Sequence, residues 1–190
     1  MAKSKVETVE ISKETLIYIA SGLGVSLLSI YALFALNVDF ARIGLIGLFI
    51  LVGAASRLPQ RIAPVSMGIE LVSLVTIVAA LRFGPATGAA VGALSMGISG
   101  VFTIPPERPQ DIMIAALGFV AMGFITPVAF SYFGAIGITA IAVTIMYDFA
   151  TSLLYIFLGH SLFGCLRFSI IHVPSNYLIL QYLGPGLMGV

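Results

Sequence analysis

Long apolar runs separated by short polar breaks account for most of this chain. Residues 1–14 alternate Lys3, Lys5 and Lys13 with Glu7, Glu10 and Glu14, and read as a solvated lead-in. Leu16–Leu36 follows, about twenty apolar residues and enough for one bilayer crossing. Asn37, Asp39 and Arg42 mark a polar turn before Ile43–Ser56, a run of about fourteen residues that covers roughly 21 Å as a helix. Arg57 to Pro64 reads as a loop, because the prolines that bracket it cannot continue a helix. A third run carries Glu70 and ends at the turn Arg82-Phe83-Gly84-Pro85; a fourth, built on small residues, reaches about Val101. The proline-rich stretch 102–111 is an extramembrane connection. Ile112–Tyr132 is a fifth run, with a kink expected at Thr126-Pro127. After a tight turn at Phe133-Gly134, Ile136–Leu158 is interrupted only by Tyr147-Asp148. Gly159–Val173 reads as a mixed loop, and Pro174 is expected to open a last helix, where its missing N–H costs little.

Inside hydrocarbon every backbone group needs an internal partner, and runs of this length suit helices rather than barrel strands. The expected fold is therefore an all-α integral membrane protein, a compact bundle of six to seven transmembrane helices. Residues 1–14 are its polar lead-in and residues 15–190 a single transmembrane domain. Composition agrees: 59% of residues are hydrophobic and 9% charged, against about 25% charged in ordinary globular chains. A multi-pass protein of the cell membrane is implied. The net charge of +1 gives no reason to expect nucleic acid. Cys165 is the single cysteine, so neither an internal disulfide nor a cysteine metal site is available. Tyrosine and phenylalanine must supply any interfacial belt, since tryptophan is absent. The N-terminus is too polar for a cleaved signal peptide, so the first run is expected to be retained.

If each run crosses, the connections at 57–64, 102–111 and 159–173 share one side with the N-terminus, and the tight turns near 37–42, 82–85 and 132–135 share the other. Long loops on a rigid scaffold are where binding groups gather. The long-loop side also carries Lys3, Lys5, Lys13, Arg57, Arg61, Arg108 and Arg167. The positive-inside rule would make that side cytoplasmic.

Glu70 and Asp148 are the carboxylates expected within or near the bilayer, where a charge is costly and points to a paired or functional role. For Glu70 the plain alternative is an interfacial pair with Arg61; for Asp148, a structural brace. His172, Ser175 and Asn176 read either as a helix-capping cluster or as site residues. His160 and His172 lack a third ligand at metal spacing, so no metal or cofactor is expected. Gly97-Ile98-Ser99-Gly100 matches the GxSG of rhomboid-type intramembrane proteases, but there an HxxxN helix precedes the serine, whereas His172 and Asn176 follow it. No nucleotide-binding loop with its lysine is present, so the chain cannot power transport alone. Gly84, Gly88 and Gly92, four apart, with Ala89 and Ala93, form a small-residue wall suited to close helix docking.

Three segments together resemble the substrate-binding S components of energy-coupling factor (ECF) vitamin transporters, in particular the archaeal-type group. They are Gly68–Gly100 with its FGP turn, Ile145–Thr151 with its Tyr-Asp pair, and His172-Val-Pro-Ser-Asn176 followed by Leu183-Gly-Pro185. The resemblance implies a non-enzymatic capture subunit that holds a vitamin or similar micronutrient under its outer loops. It would dock on a transmembrane coupling subunit and two ABC ATPases. The site it implies draws on Arg57 and Arg61 as lid charges, on Glu107, Arg108 and Asp111 from the second loop, and on Asp148, His172 and Asn176 from the walls. Tyr147 and Tyr177 would stack on the cargo. It also places the long loops outside, against the charge rule. The rival reading is a scaffold or anchor subunit without a ligand, which needs no pocket.

Overall fold

The computed structural model describes residues 39–61, 68–102 and 108–189, without the side chains of Gln60, Arg61, Val101 and Phe102. Six helices and no strands occur among them: α1 (Phe40–Ala55), α2 (Val72–Phe83), α3 (Pro85–Phe102), α4 (Pro109–Phe133), α5 (Ile136–Phe157) and α6 (Leu162–Met188), with a 3₁₀ turn at Leu58–Arg61. The chain divides into compact units at residues 1–42 and 43–190. Of the first, only residues 39–42 are described. There Asp39 Oδ1 accepts from the Arg42 N–H at 3.1 Å, so the polar turn expected at 37–42 in part opens α1. The run Leu16–Leu36 and the boundary expected after residue 14 lie outside the described residues.

In the second unit α2 is the axis. Val72 to Ala80 are buried without a break, and its neighbours include α3, α4 and α6. A helix apolar all round must be covered all round. Glycines and hydroxyls set the spacing. Gly88 of α3 sits where a Cβ would lie 2.7 Å from the Ala80 Cα, and at Gly92 one would come within 2.8 Å of the Phe119 Cβ. At Gly123 of α4, a Cβ would fall 2.6 Å from the Ala89 Cα. Ser95 Oγ of α3 donates to the Ile50 carbonyl of α1 at 3.2 Å, next to Gly53. The small-residue wall is thus used within the chain. Gly88, Ala89 and Gly92 are buried against α2 and α4, so they offer no surface to a separate partner, unlike the docking role expected of them. Gly84 and Ala93 stay half-buried.

The turn between α2 and α3 forms as the sequence suggests: Gly84, at φ +99°, ends one helix and Pro85 begins the next. The last helix does not. It starts at Leu162, capped by Ser161 Oγ accepting from the Gly164 N–H at 3.0 Å. Pro174 is interior, and the expected loop 159–173 shrinks to a few residues. A proline removes one backbone hydrogen bond. Here the side chains on either side of it, His172 and Asn176, are both fully buried, and His172 is bonded to Asp148 of α5, so the helix continues past the proline. Ser175 therefore caps nothing.

Helix direction alternates. Arg57, just past α1, reaches Ser99 near the end of α3, and Tyr155 near the end of α5 donates to the carbonyl of Asp111 at the start of α4. At the opposite end Arg82 Nη1 donates to the Leu187 carbonyl at 2.6 Å. Two helices, α4 with 25 residues and α5 with 22, are long and apolar enough to cross a membrane. Their outward side chains are apolar, among them Leu117, Phe124, Val128, Ile145 and Phe149. Apolar surface of this extent marks an interaction with lipid or protein, and with these two candidate spans among the described residues it indicates membrane association.

Candidate functional site: a buried ion chain behind a polar-mouthed cavity

Residues 68–71 enter α2 without helical structure. Gly68, at φ +63°, lies so close to α6 that a Cβ would be 3.0 Å from the backbone of Phe168 and His172. That approach aims Glu70 inward at the N-terminal end of α2, where a helix dipole favours an anion. The Leu71 N–H is taken by Ser56 Oγ at 2.9 Å.

Glu70 links two elements. Its Oε2 is 3.3 Å from Arg57 Nε and its Oε1 3.7 Å from His172 Nε2. His172 Nδ1 is 2.7 Å from Asp148 Oδ1. Arg57 also donates through Nη1 to Ser99 Oγ and to Met96 Sδ, each at 2.9 Å. Arg57, Glu70, His172 and Asp148 thus form a chain from α1 through the entry of α2 to α6 and α5, each side chain at most 11% exposed. Burying such charges is costly unless they are paired, and each of these faces a partner, although Asp148 Oδ2 is left without a hydrogen bond among the described residues. The chain ties the shortest helix to the longest.

In front of it opens a cavity of about 300 Å³. Arg57 and Glu70 form part of its wall, with Met96, Ala115, Tyr147 and Phe168. Tyr147 is braced by Phe119, ring centroids 4.6 Å apart, and Phe168 lies 4.5 Å from the His172 ring. At the mouth a polar group forms: Arg108 Nε is 2.9 Å from Asp111 Oδ2, and His160 Nε2 is 3.1 Å from Asp111 Oδ1 and also touches Arg108. Arg167 and Ser161 complete that rim. The space is of the size, and has the mix of aromatic wall and few polar anchors, found in small-molecule sites.

The expected site residues fall into groups. Arg57, Asp111 and Tyr147 line the cavity. Asp148 and His172 stand behind its wall, joined to it by Glu70. Arg108 sits on Asp111 at the rim. Asn176 is fully buried one turn beyond His172, away from the cavity, and Tyr177 packs against Gly137 between α5 and α6. Neither lines the space as expected. Glu107 and the side chain of Arg61 lie outside the described residues. Glu70 pairs with Arg57; its pairing with Arg61, the plain alternative, falls on a side chain outside the described residues. Sequence reasoning missed Tyr155, His160, Arg167 and Phe168. Tyr155 lies two helical turns beyond Tyr147 and Asp148, His160 and Arg167 were visible only as polar positions of a loop, and no spacing marks Phe168.

Ser73 Oγ is 3.3 Å from His172 Nε2, so Ser73, His172 and Asp148 have the connectivity of a hydrolytic triad. Ser73 is fully buried and not in the cavity wall, so a substrate in the cavity does not meet it. Ser99, the serine of the GxSG segment, holds Arg57 and the Met96 carbonyl, while both nitrogens of His172 are engaged elsewhere. The chain matches no protein-family description, no curated protein and no solved structure.

Proposed function

We propose that this protein is a multi-pass membrane subunit that captures a small water-soluble nutrient of the vitamin class. In this reading it is a non-catalytic S component of an ECF-type importer, a bundle of six to seven membrane helices. The cavity is the observation that carries the proposal. It sits at the end of the bundle where the longer connections gather, has aromatic walls for a planar body, and carries charges of both signs at its mouth. A scaffold subunit would have no use for such a space. Transport energy would come from a separate transmembrane coupling subunit with two ABC ATPases. With Gly88, Ala89 and Gly92 turned inward, docking falls to the outward stripe of α3, where Ala86, Ala90 and Leu94 are exposed. The resemblance puts the cavity on the outer face, with its arginines serving the cargo rather than topology, since a guanidinium suits carboxylate or phosphate groups.

The test is a thermal-stability screen of the purified protein against water-soluble vitamins and their precursors. One compound should raise the melting temperature, and Tyr147→Ala should abolish that rise. No shift with any compound, together with no ATPase subunits recovered with the protein from native membranes, would overturn the proposal.

A further inference from the structure

The contacts between α5 and α6 fix their register. Asp148 meets His172, Gly137 meets Tyr177 and Gln181, and Ile136 meets Gly184. Each turn back along α5 is matched by a turn forward along α6. Thr144, one turn before Asp148, therefore lies opposite Asn176, one turn beyond His172. Along this seam polar atoms are left over. Asp148 Oδ2, Thr144 Oγ1 and both amide atoms of Asn176 have no hydrogen-bond partner among the described residues. The three residues are 4%, 0% and 1% exposed. Buried polar groups are almost always satisfied, so each exception calls for a cause such as an ion or water.

The donor set says which. A carboxylate, an amide carbonyl and a hydroxyl are hard oxygen ligands, the type that takes alkali and alkaline-earth cations rather than transition metals. Only one carboxylate oxygen is uncommitted, because Asp148 Oδ1 already faces His172 Nδ1. Divalent calcium draws on about six to eight oxygens, commonly from several carboxylates. A single carboxylate oxygen beside two neutral ones matches a single positive charge. Intramembrane carboxylates of this kind mark ion pathways.

We propose that Asp148, Thr144 and Asn176 form a binding site for a small alkali cation, with sodium as the probe. The site lies in the α5–α6 seam behind the cavity and does not depend on what the cavity holds. Binding there fastens α5 to α6 next to the His172 link, so a bound cation stabilises the fold.

Full-length protein in detergent is melted, followed by far-ultraviolet circular dichroism, in sodium chloride and in choline chloride at equal ionic strength. The melting temperature rises with sodium and saturates. The rise is lost in Thr144→Val, which keeps the shape without the oxygen, and kept in Thr144→Ser. Equal melting in both salts is the result of a seam holding only water, and it overturns the proposal. So does a sodium response that survives in both Thr144→Val and Asp148→Asn. Where a variant does not fold, equilibrium binding of radioactive sodium to the wild type decides: saturable binding of one ion per chain supports the site, and no saturable binding overturns it.

Discussion

Arg57 shows what a buried charge does here. Its guanidinium serves Glu70, Ser99 and Met96 at once. Removing it strands Glu70 in a covered position, so Arg57→Met should cost about 3–5 kcal/mol, the usual penalty for breaking a buried pair. Adding Glu70→Gln should recover a large part of that loss, because the second change removes the stranded charge. Denaturant unfolding in mixed micelles measures both, and simple additivity would contradict the pairing. Asp148 and His172 stood out in the sequence as polar residues among apolar ones. Their mutual bond did not, since it joins helices whose register no local pattern states. The entry of Glu70 was hidden for the same reason. A carboxylate at the start of an apolar run reads as interfacial, and only the close approach at Gly68 turns it inward.

Helices show the same division between local and tertiary cause. The Gly84-Pro85 turn is written in two residues and formed as read. Pro174 was misread because a proline after a polar stretch is the signature of a helix start. Its neighbours His172 and Asn176 are buried against the bundle, and His172 is bonded to Asp148 of α5, so tertiary packing carries the helix past the proline. The small residues of α3 were legible as a docking wall, but α2 and α4 of the same chain fill it. Two substitutions separate the used from the unused glycines. Gly123→Ala would push a methyl into the Ala89 backbone, which cannot yield, and should destabilise by about 1–3 kcal/mol. At Gly97 nothing lies within 4 Å, so Gly97→Ala should be neutral or stabilise by up to about 1 kcal/mol. Thermal melts of both variants check this, and equal losses would refute the packing described for α3.

At the scale of the whole molecule, alternation of the helices sets the cavity and the C-terminal end at opposite poles. With the cavity outside, a green fluorescent protein fused after Val190 should fluoresce, and alkaline phosphatase fused there should stay inactive. The reverse pattern would mean that the positive-inside rule, not the resemblance, gives the orientation. The apolar exterior and the two long helices were legible from hydropathy alone. The cavity was not, for it depends on how side chains of separate helices, Tyr147 of α5 and Phe168 of α6 among them, come together in space. Native mass spectrometry of the protein taken gently from its own membranes tests the cavity most directly. The account predicts a species heavier by one small molecule, lost when Ser152, which lines the cavity on α5, is replaced by tryptophan (Ser152→Trp) and the ring fills the space. A wild-type protein of bare polypeptide mass alone, even when loaded with the vitamin panel, would contradict it.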